Sequence, residues 1–387
     1  MHSFQRTPIV AVKLLLLITI TLLYNTSQTT AQPQLSTRLD SFFHTLPANQ
    51  PGIALSIEKN GDILYRNTAG LADLTTKTPI DTTTNFRMAS VTKQFTAMAI
   101  LLLEKDKRLA LDDPIGRWLP ELPATIGQHV LIRHLLTHTS GIEDYESLIP
   151  DTQTTQVLDA DVLKLLSRRD STYFQPGNRF RYSNSGFCLL ALIVERASQE
   201  PYASFIKEHI FLPLQMDHST VYEKDQPIFH RALGYAKDST GTIIPSDQSV
   251  TSATKGDGGV YTSLADFRKW IRALQQNRLI NLPAALRRLR FPINAAPNKA
   301  AADKVAADIY YAAGWFISSG SPTILFHSGS TCGFATYIIQ IPGDERSITY
   351  FSNLADNKAP FRQILRLLRA SGMPDFQPVL DLQEQTR

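Results

Sequence analysis

The sequence predicts an α+β fold: one antiparallel sheet built from both ends of the chain and flanked by helices, with a mostly helical domain inserted between its halves. Three observations carry this prediction. Strand-like apolar patterning occurs near the start, around Gly52 to Ala69, and returns near the end, from Thr323 to Phe351. Between these regions apolar residues recur mainly at helical spacing. No internal repeat or low-complexity linker divides the 387 residues, a length that suits two packed domains or one large one.

Taken in order, the first element is a leader. Arg6 and Lys13 make a positive start, Leu14 to Tyr24 is an eleven-residue, mostly apolar stretch, and Thr29-Thr30-Ala31 supplies small residues before Gln32. That layout predicts a secretory signal over 1–31, cleaved after Ala31. The apolar stretch is short for a bilayer span, and no cysteine near it could take a lipid, so no stable membrane anchor is expected after cleavage. Leu35 to Leu46 then reads as a short amphipathic helix. Gly52 to Lys59 alternates Ile53, Leu55 and Ile57 as a half-buried strand, Asn60-Gly61 is a hairpin turn, and Ile63 to Ala69 is the returning strand.

Helices are expected over Val91 to Leu103, Val130 to Thr137, Ala160 to Ser167, Ser185 to Ser198 and Leu264 to Gln275. Ser263 and Asp266 resemble a capping box for the last of these. Thr323 to Phe326, Thr336 to Ile341 and Ser347 to Phe351 are short strands, with Pro342-Gly343-Asp344 turning between the last two. A helix carrying Phe361, Ile364, Leu365, Leu367 and Leu368 follows. The expected domain spans 32–372, with an α/β part at about 36–85 and 305–372 and a helical part at about 86–304; the tail 373–387 is unassigned.

Composition excludes several classes. With 43% hydrophobic and 19% charged residues the chain is an ordinary globular protein. Its net charge of +4 lies partly in the leader, and no basic run is interleaved with aromatics, so nucleic acid is not an expected partner. Two cysteines, Cys188 and Cys332, exclude a disulfide-stapled scaffold. Cys188 lies in an apolar helical run and reads as core, and neither thiol has a basic neighbour in sequence. His134 and His138 have a spacing that can bind zinc, but Leu135-Leu136-Thr137 lacks the glutamate of a zinc hydrolase and no third ligand stands out. A structural role is expected, with no metal and no cofactor. Asp257, between Gly256 and Gly258, reads as a solvated turn.

Three polar clusters carry chemistry. Ser90-Val91-Thr92-Lys93 heads the long apolar run, and residues three apart share a helix face, so the Lys93 amine can reach the Ser90 hydroxyl. A helix apolar nearly all round is buried, and burial disfavours a charged ammonium, pushing a lysine toward its basic form. Tyr182-Ser183-Asn184 precedes a second buried helix; a phenol there could shuttle protons and an amide could bind Lys93 and a substrate carbonyl. Asn184 or Ser185 could equally be that helix's N-cap. His327-Ser328-Gly329-Ser330 follows the Thr323 to Phe326 strand, where glycine lets a substrate backbone approach and a main-chain N–H could join an oxyanion hole.

Together, in this order, the clusters resemble the penicillin-recognising serine hydrolases, specifically the class C β-lactamase and DD-carboxypeptidase branch with its S-x-x-K, Y-x-N and K-T-G or H-x-G elements. Phe86-Arg87-Met88-Ala89, Leu135-Leu136-Thr137-His138-Thr139-Ser140-Gly141, Gln175-Pro176-Gly177, Gly258-Gly259-Val260-Tyr261 and Gly333-Phe334 extend the resemblance over roughly Asp40 to Leu368. It implies a β-lactamase/transpeptidase-like fold in an exported bacterial protein, periplasmic or extracellular and monomeric. It also implies Ser90 as the acylated nucleophile, Lys93 and Tyr182 sharing proton transfer, Asn184 orienting substrate, and the N–H groups of Ser90 and Ser330 as the oxyanion hole. His327 stands where typical class C β-lactamases have a lysine facing the substrate carboxylate, and histidine is largely neutral near pH 7. That tilts the expectation toward a DD-peptidase, esterase or peptidase. The substrate classes are peptidoglycan stem peptides ending in D-alanine, β-lactams, and small esters or peptides. The alternative is a catalytically weak binding or regulatory protein on the same fold, against which the three intact motifs argue.

Overall fold

The computed structural model describes residues 34–293, 309–374 and 376. The leader over 1–31 and most of the tail over 373–387 lie outside the described residues. Helix α1 (34–44) leads into strands β1 (Ile53–Lys59) and β2 (Asp62–Ala69), joined by a two-residue turn in which Asn60 (φ 52°) and Gly61 (φ 81°) are both left-handed. Two positive φ values match the twist of the flanking strands, which is why Asn-Gly closes this hairpin.

The chain then leaves the sheet and returns in β3 (Phe291–Pro292), β4 (Ile309–Ala312), β5 (Trp315–Ser318), β6 (Ile324–Thr331), β7 (Phe334–Ile341) and β8 (Arg346–Ser352). The sheet order is β3-β4-β5-β6-β7-β8-β1-β2. The amino-terminal β1 thus pairs antiparallel with the carboxy-terminal β8, from Ile53 opposite Ser352 to Lys59 opposite Arg346. This is the expected sheet made from both chain ends. The reading has no counterpart for β3, β4 and β5, which are too short and too evenly apolar to show an alternation. The Thr323 to Phe326 strand is also longer than expected: β6 runs through His327, Ser328, Gly329 and Ser330, so this cluster is strand, not a turn after one.

Apolar side chains divide between the two faces of the sheet. One face packs on α1 and on the last helix, α5 (Lys358–Ala370), through Leu39, Phe43, Leu55, Tyr350, Phe361 and Leu365. The other supports the inserted region, whose principal helices are α2 (Lys93–Lys105), α3 (Asn184–Ser198) and α4 (Leu264–Gln275). Ser263 caps α4 by accepting from the Asp266 N–H. A shorter helix at Ile132–Leu136 falls within the expected segment, and one at Asp159–Leu166 is offset by one residue from the expected Ala160 to Ser167. The inserted region is not purely helical: Phe86–Arg87, Val260–Thr262 and Thr220–Val221 form a small three-stranded sheet that fixes the chain entering α2. Cys188 is buried in α3, Cys332 is partly exposed, and both are free thiols. No helix among the described residues is long and apolar enough to cross a membrane.

Candidate active site

Ser90 lies in a one-turn 3-10 helix, Ala89–Thr92, that runs directly into α2. In such a turn residues i and i+3 eclipse one another, so the lysine comes even closer to the serine than an α-helical spacing would bring it. Main-chain bonds fix the turn. Met88 N–H donates to the Val260 carbonyl at 2.8 Å, and the Thr92 hydroxyl accepts from the Val260 N–H at 3.0 Å. Ala89 is left-handed at φ 46°, a conformation a side-chain-bearing residue adopts at some cost in energy.

Lys93 is wholly buried among apolar neighbours on α2, as the apolar run predicts. Its Nζ donates to Ser90 Oγ at 3.1 Å, to Asn184 Oδ1 at 2.8 Å and to the Asp257 carbonyl at 3.0 Å. These three acceptors match the three donors of an ammonium, so the cost of burying it is offset by hydrogen bonds. Asn184 opens α3 and hands the network on, its Nδ2 donating to Glu146 Oε1 at 3.1 Å. The N-cap of α3 is Ser183, whose hydroxyl accepts from the Gly186 N–H at 3.4 Å, so Asn184 and Ser185 are both left free of that task.

Tyr182 joins the cluster by its ring. Lys93 Nζ sits 5.0 Å from the ring centroid, a cation–π contact. The phenol oxygen is buried and makes no hydrogen bond among the described residues. Ser90 and Ser330 line one cleft, together with Glu146, Asn184, Asp257 and Thr331. A separate open groove of about 790 Å³ against Leu101, Lys105, Asn277 and Arg288 lies away from the nucleophile.

Two predicted binding residues are placed differently from the expectation. His327 is 2% exposed, and its ring nitrogens meet the Ser328 carbonyl at 2.8 Å and the Tyr311 hydroxyl at 3.3 Å. The first contact requires Nδ1 to carry a proton. The side chain is therefore tied into the protein beside the cleft, its ring centroid 6.2 Å from that of Tyr182. Gly329 also serves the protein before the substrate: a Cβ there would stand 2.2 Å from the Met88 carbonyl oxygen and 2.3 Å from Thr336 Oγ1. The glycine lets β6 press against the turn that carries Ser90.

Sequence reasoning missed an acidic wall. Asp257 is buried, not solvated; its carbonyl accepts from Lys93, while its Oδ1 has no hydrogen-bond partner among the described residues. Asp159, also buried, holds the same loop by accepting from the N–H groups of Lys255 at 2.9 Å and Gly256 at 3.2 Å, and burial pushes its carboxyl up to about 7. Glu146 also rises to about 7, through desolvation at the cleft and the nearby charges of Asp144 and Asp257, although part of its side chain is open to solvent. Burial likewise raises Asp144. The only signal in the sequence was the acid pair Asp144 and Glu146 close after Gly141.

An antiparallel sheet flanked by helices, with a serine and a buried lysine at the head of its central helix, defines the serine-hydrolase superfamily of penicillin-binding-protein-like scaffolds. Within it, the chain belongs to the Beta-lactamase family, whose profile matches residues 39–372. It is 34% identical over 346 residues to Penicillin-binding protein 4* of Bacillus subtilis, covering 85% of this chain and 74% of that protein. Among solved structures, a penicillin binding protein from Bacillus halodurans superposes with a TM-score of 0.70 at 27% identity, over 87% of this chain and 98% of that one. A D-amino acid amidase from Ochrobactrum anthropi shares the fold, with a TM-score of 0.69 at 22% identity over 89% of this chain and 99% of the other.

Proposed function

We propose that the protein is an exported serine hydrolase that works through an acyl-enzyme on Ser90 and acts on small esters, amides or peptides. The observation that carries this reading is the 3.1 Å contact between buried Lys93 Nζ and Ser90 Oγ, braced by Asn184 and the Asp257 carbonyl. A lysine held there can take the hydroxyl proton as Oγ attacks a carbonyl, once its own proton has left toward solvent. The tetrahedral oxyanion would be met by the N–H groups of Ser90 and Ser330, and loss of one such donor typically costs about 100- to 1000-fold in rate. Collapse expels the alcohol or amine, which takes up the proton, and water then hydrolyses the ester on Ser90. Export rests on the leader read over 1–31.

The charge lining the cleft narrows the substrate. Glu146 and Asp257 line one wall with Asp144 close by, while the His327 ring nitrogens are bonded within the protein. Arg87 reaches the cleft lining but is committed to the Gly258 and Ser252 carbonyls through two of its three nitrogens. A substrate with a cationic group beside the scissile bond is therefore favoured over one ending in a free carboxylate, most strongly above about pH 7, where Glu146 is ionised. That ranks amine-bearing esters and amides above stem peptides ending in D-alanine, and above β-lactams as rapid substrates. The likeness to a penicillin-binding protein supports slow acylation by penicillin all the same. A fluorescent penicillin and paired D-amino acid esters, free or N-succinylated, test the reading. Labelling should vanish in Ser90→Ala, and the free-amine ester should exceed its succinyl twin about two- to fivefold in kcat/KM, the scale of one exposed charge interaction. Absence of Ser90 modification by either chemistry refutes the enzyme reading; preference for the succinyl ester refutes only the substrate ranking.

A further inference from the structure

We propose that His138 is the positioning residue for Tyr182, gripping the main chain on both sides of the tyrosine and packing its ring against the phenol. The inference rests on the reading that Tyr182 shares proton transfer with Lys93 and Ser90. His138 lies 44 positions before Tyr182 in sequence, just beyond the short helix Ile132–Leu136. Its carbonyl accepts from the Arg181 N–H at 2.8 Å, and its ring Nδ1 accepts from the Ser183 N–H at 3.2 Å. The residue before Tyr182 and the residue after it are thus bonded to one histidine. Between these two bonds the rings of His138 and Tyr182 meet with centroids 4.2 Å apart.

Three features go beyond what packing alone needs. First, an Nδ1 that accepts must be unprotonated, so the neutral ring carries its proton on Nε2. Burial, then the charges of Lys93 and His327, hold this imidazole well below the usual histidine range, which keeps that acceptor available. Second, Nε2 has no hydrogen-bond partner among the described residues; it is boxed in by Phe180, Tyr182, Phe187 and Tyr311. An apolar ring would fill that box without an orphaned polar atom, so what the histidine adds is the Nδ1 acceptor. Third, His138 is left-handed at φ 55°, and this turns its carbonyl and its side chain toward the same stretch of chain.

The consequence reaches the nucleophile. Asn184 is held separately by Lys93 and Glu146, and α3 by its Ser183 cap, so loosening the two bonds from His138 moves the Tyr182 ring first. Misplacing a catalytic group by about 1 Å can cost on the order of 100-fold in rate.

The discriminating variants are His138→Asn and His138→Leu, in wild-type and Tyr182→Phe backgrounds. An asparagine Oδ1 falls close to where the imidazole Nδ1 stands, and asparagine tolerates the left-handed backbone; leucine offers bulk without an acceptor. Each variant is titrated to completion with a fluorescent penicillin, so that rates are expressed per competent Ser90, and acylation by an activated ester is followed in single turnover. His138→Leu should acylate about 10- to 100-fold more slowly per titrated site with KM within about threefold, while His138→Asn stays within about threefold of wild type. Against Tyr182→Phe the leucine substitution should add less than about twofold, because its effect passes through the phenol. His138→Phe, which refills the box, is read in the same way if the leucine variant yields no folded protein.

Wild-type rates per site in His138→Leu, equal damage from Asn and Leu, or losses that multiply with Tyr182→Phe would each overturn the positioning role. If Tyr182→Phe itself loses nothing, the proton-transfer reading falls and the positioning role with it. That outcome is distinct from an active-site tyrosine that His138 does not position.

Discussion

The Ser90–Lys93 turn and the His327–Gly329 segment of β6 meet at one corner of the cleft, yet they commit their polar groups in opposite directions. In the first, every donor of the lysine points at the nucleophile or its supports. In the second, the imidazole is tied to Tyr311 and to the Ser328 carbonyl, and the glycine is pressed against the Met88 carbonyl and the Thr336 hydroxyl. The difference is one of secondary structure. A 3-10 turn stacks positions 90 and 93 on one side, whereas a strand sends each side chain wherever its face packs. A motif's spelling locates a segment at a site; the local backbone decides whether its side chains face the substrate.

This contrast can be broken by substitution. Lys93→Met keeps the bulk and removes all three donors, and turnover of an activated ester should fall about 10⁴-fold or more, the scale seen when one member of a catalytic unit is lost. A loss below tenfold would move the general base elsewhere. Gly329→Ala should come next, with about a 100-fold loss and a lowered melting temperature, because its Cβ would drive β6 away from the nucleophile's turn. Unchanged kinetics there would mean that the contact yields without moving Ser90.

Stability against pH gives a third, smaller effect. Asp159 is held at about 7 in the fold against an ordinary carboxyl value of 3.8, so the folded state binds the extra proton. Its contribution is full below about 4 and is lost as pH rises through about 7. Melting temperature followed from pH 4 to 7 should therefore decline in wild type and decline less in Asp159→Asn; parallel curves would remove Asp159 as a cause. The smallest effect belongs to His327→Phe, where kcat/KM for a neutral ester should change less than about tenfold, since both ring nitrogens are bonded within the protein. A far larger loss would place the imidazole in the chemistry after all.

The sequence made the sheet's long strands legible because β1, β2, β7 and β8 alternate or carry a diagnostic turn, Asn60-Gly61. It also placed α2 and α3, whose apolar residues run nearly all round. The four-residue strands β4 and β5 escaped, since so short a run carries no period. Ser90, Lys93, Tyr182 and Asn184 were found by spacing, and the fold brings them together. Asp257, Glu146 and Asp159 were not, because their placement depends on which loop folds over which helix. Asp257 sat between glycines that look like a solvent-facing turn, yet Gly256 and Gly258 are themselves buried or half-buried against the site. His138 was dismissed as a ligand on the ground that no third metal-binding residue was near, and its bonds to the segment around Tyr182 could not be read from its neighbours.

The central claim is that Ser90 becomes acylated during turnover. Intact-mass measurement of the protein mixed with an activated ester and quenched within the burst answers it directly, followed by peptide mapping. The account predicts one added acyl group, located on the peptide carrying Ser90, that decays as product appears and is missing from Ser90→Ala. Turnover that persists in Ser90→Ala, or an acyl group mapping to another residue, would contradict it.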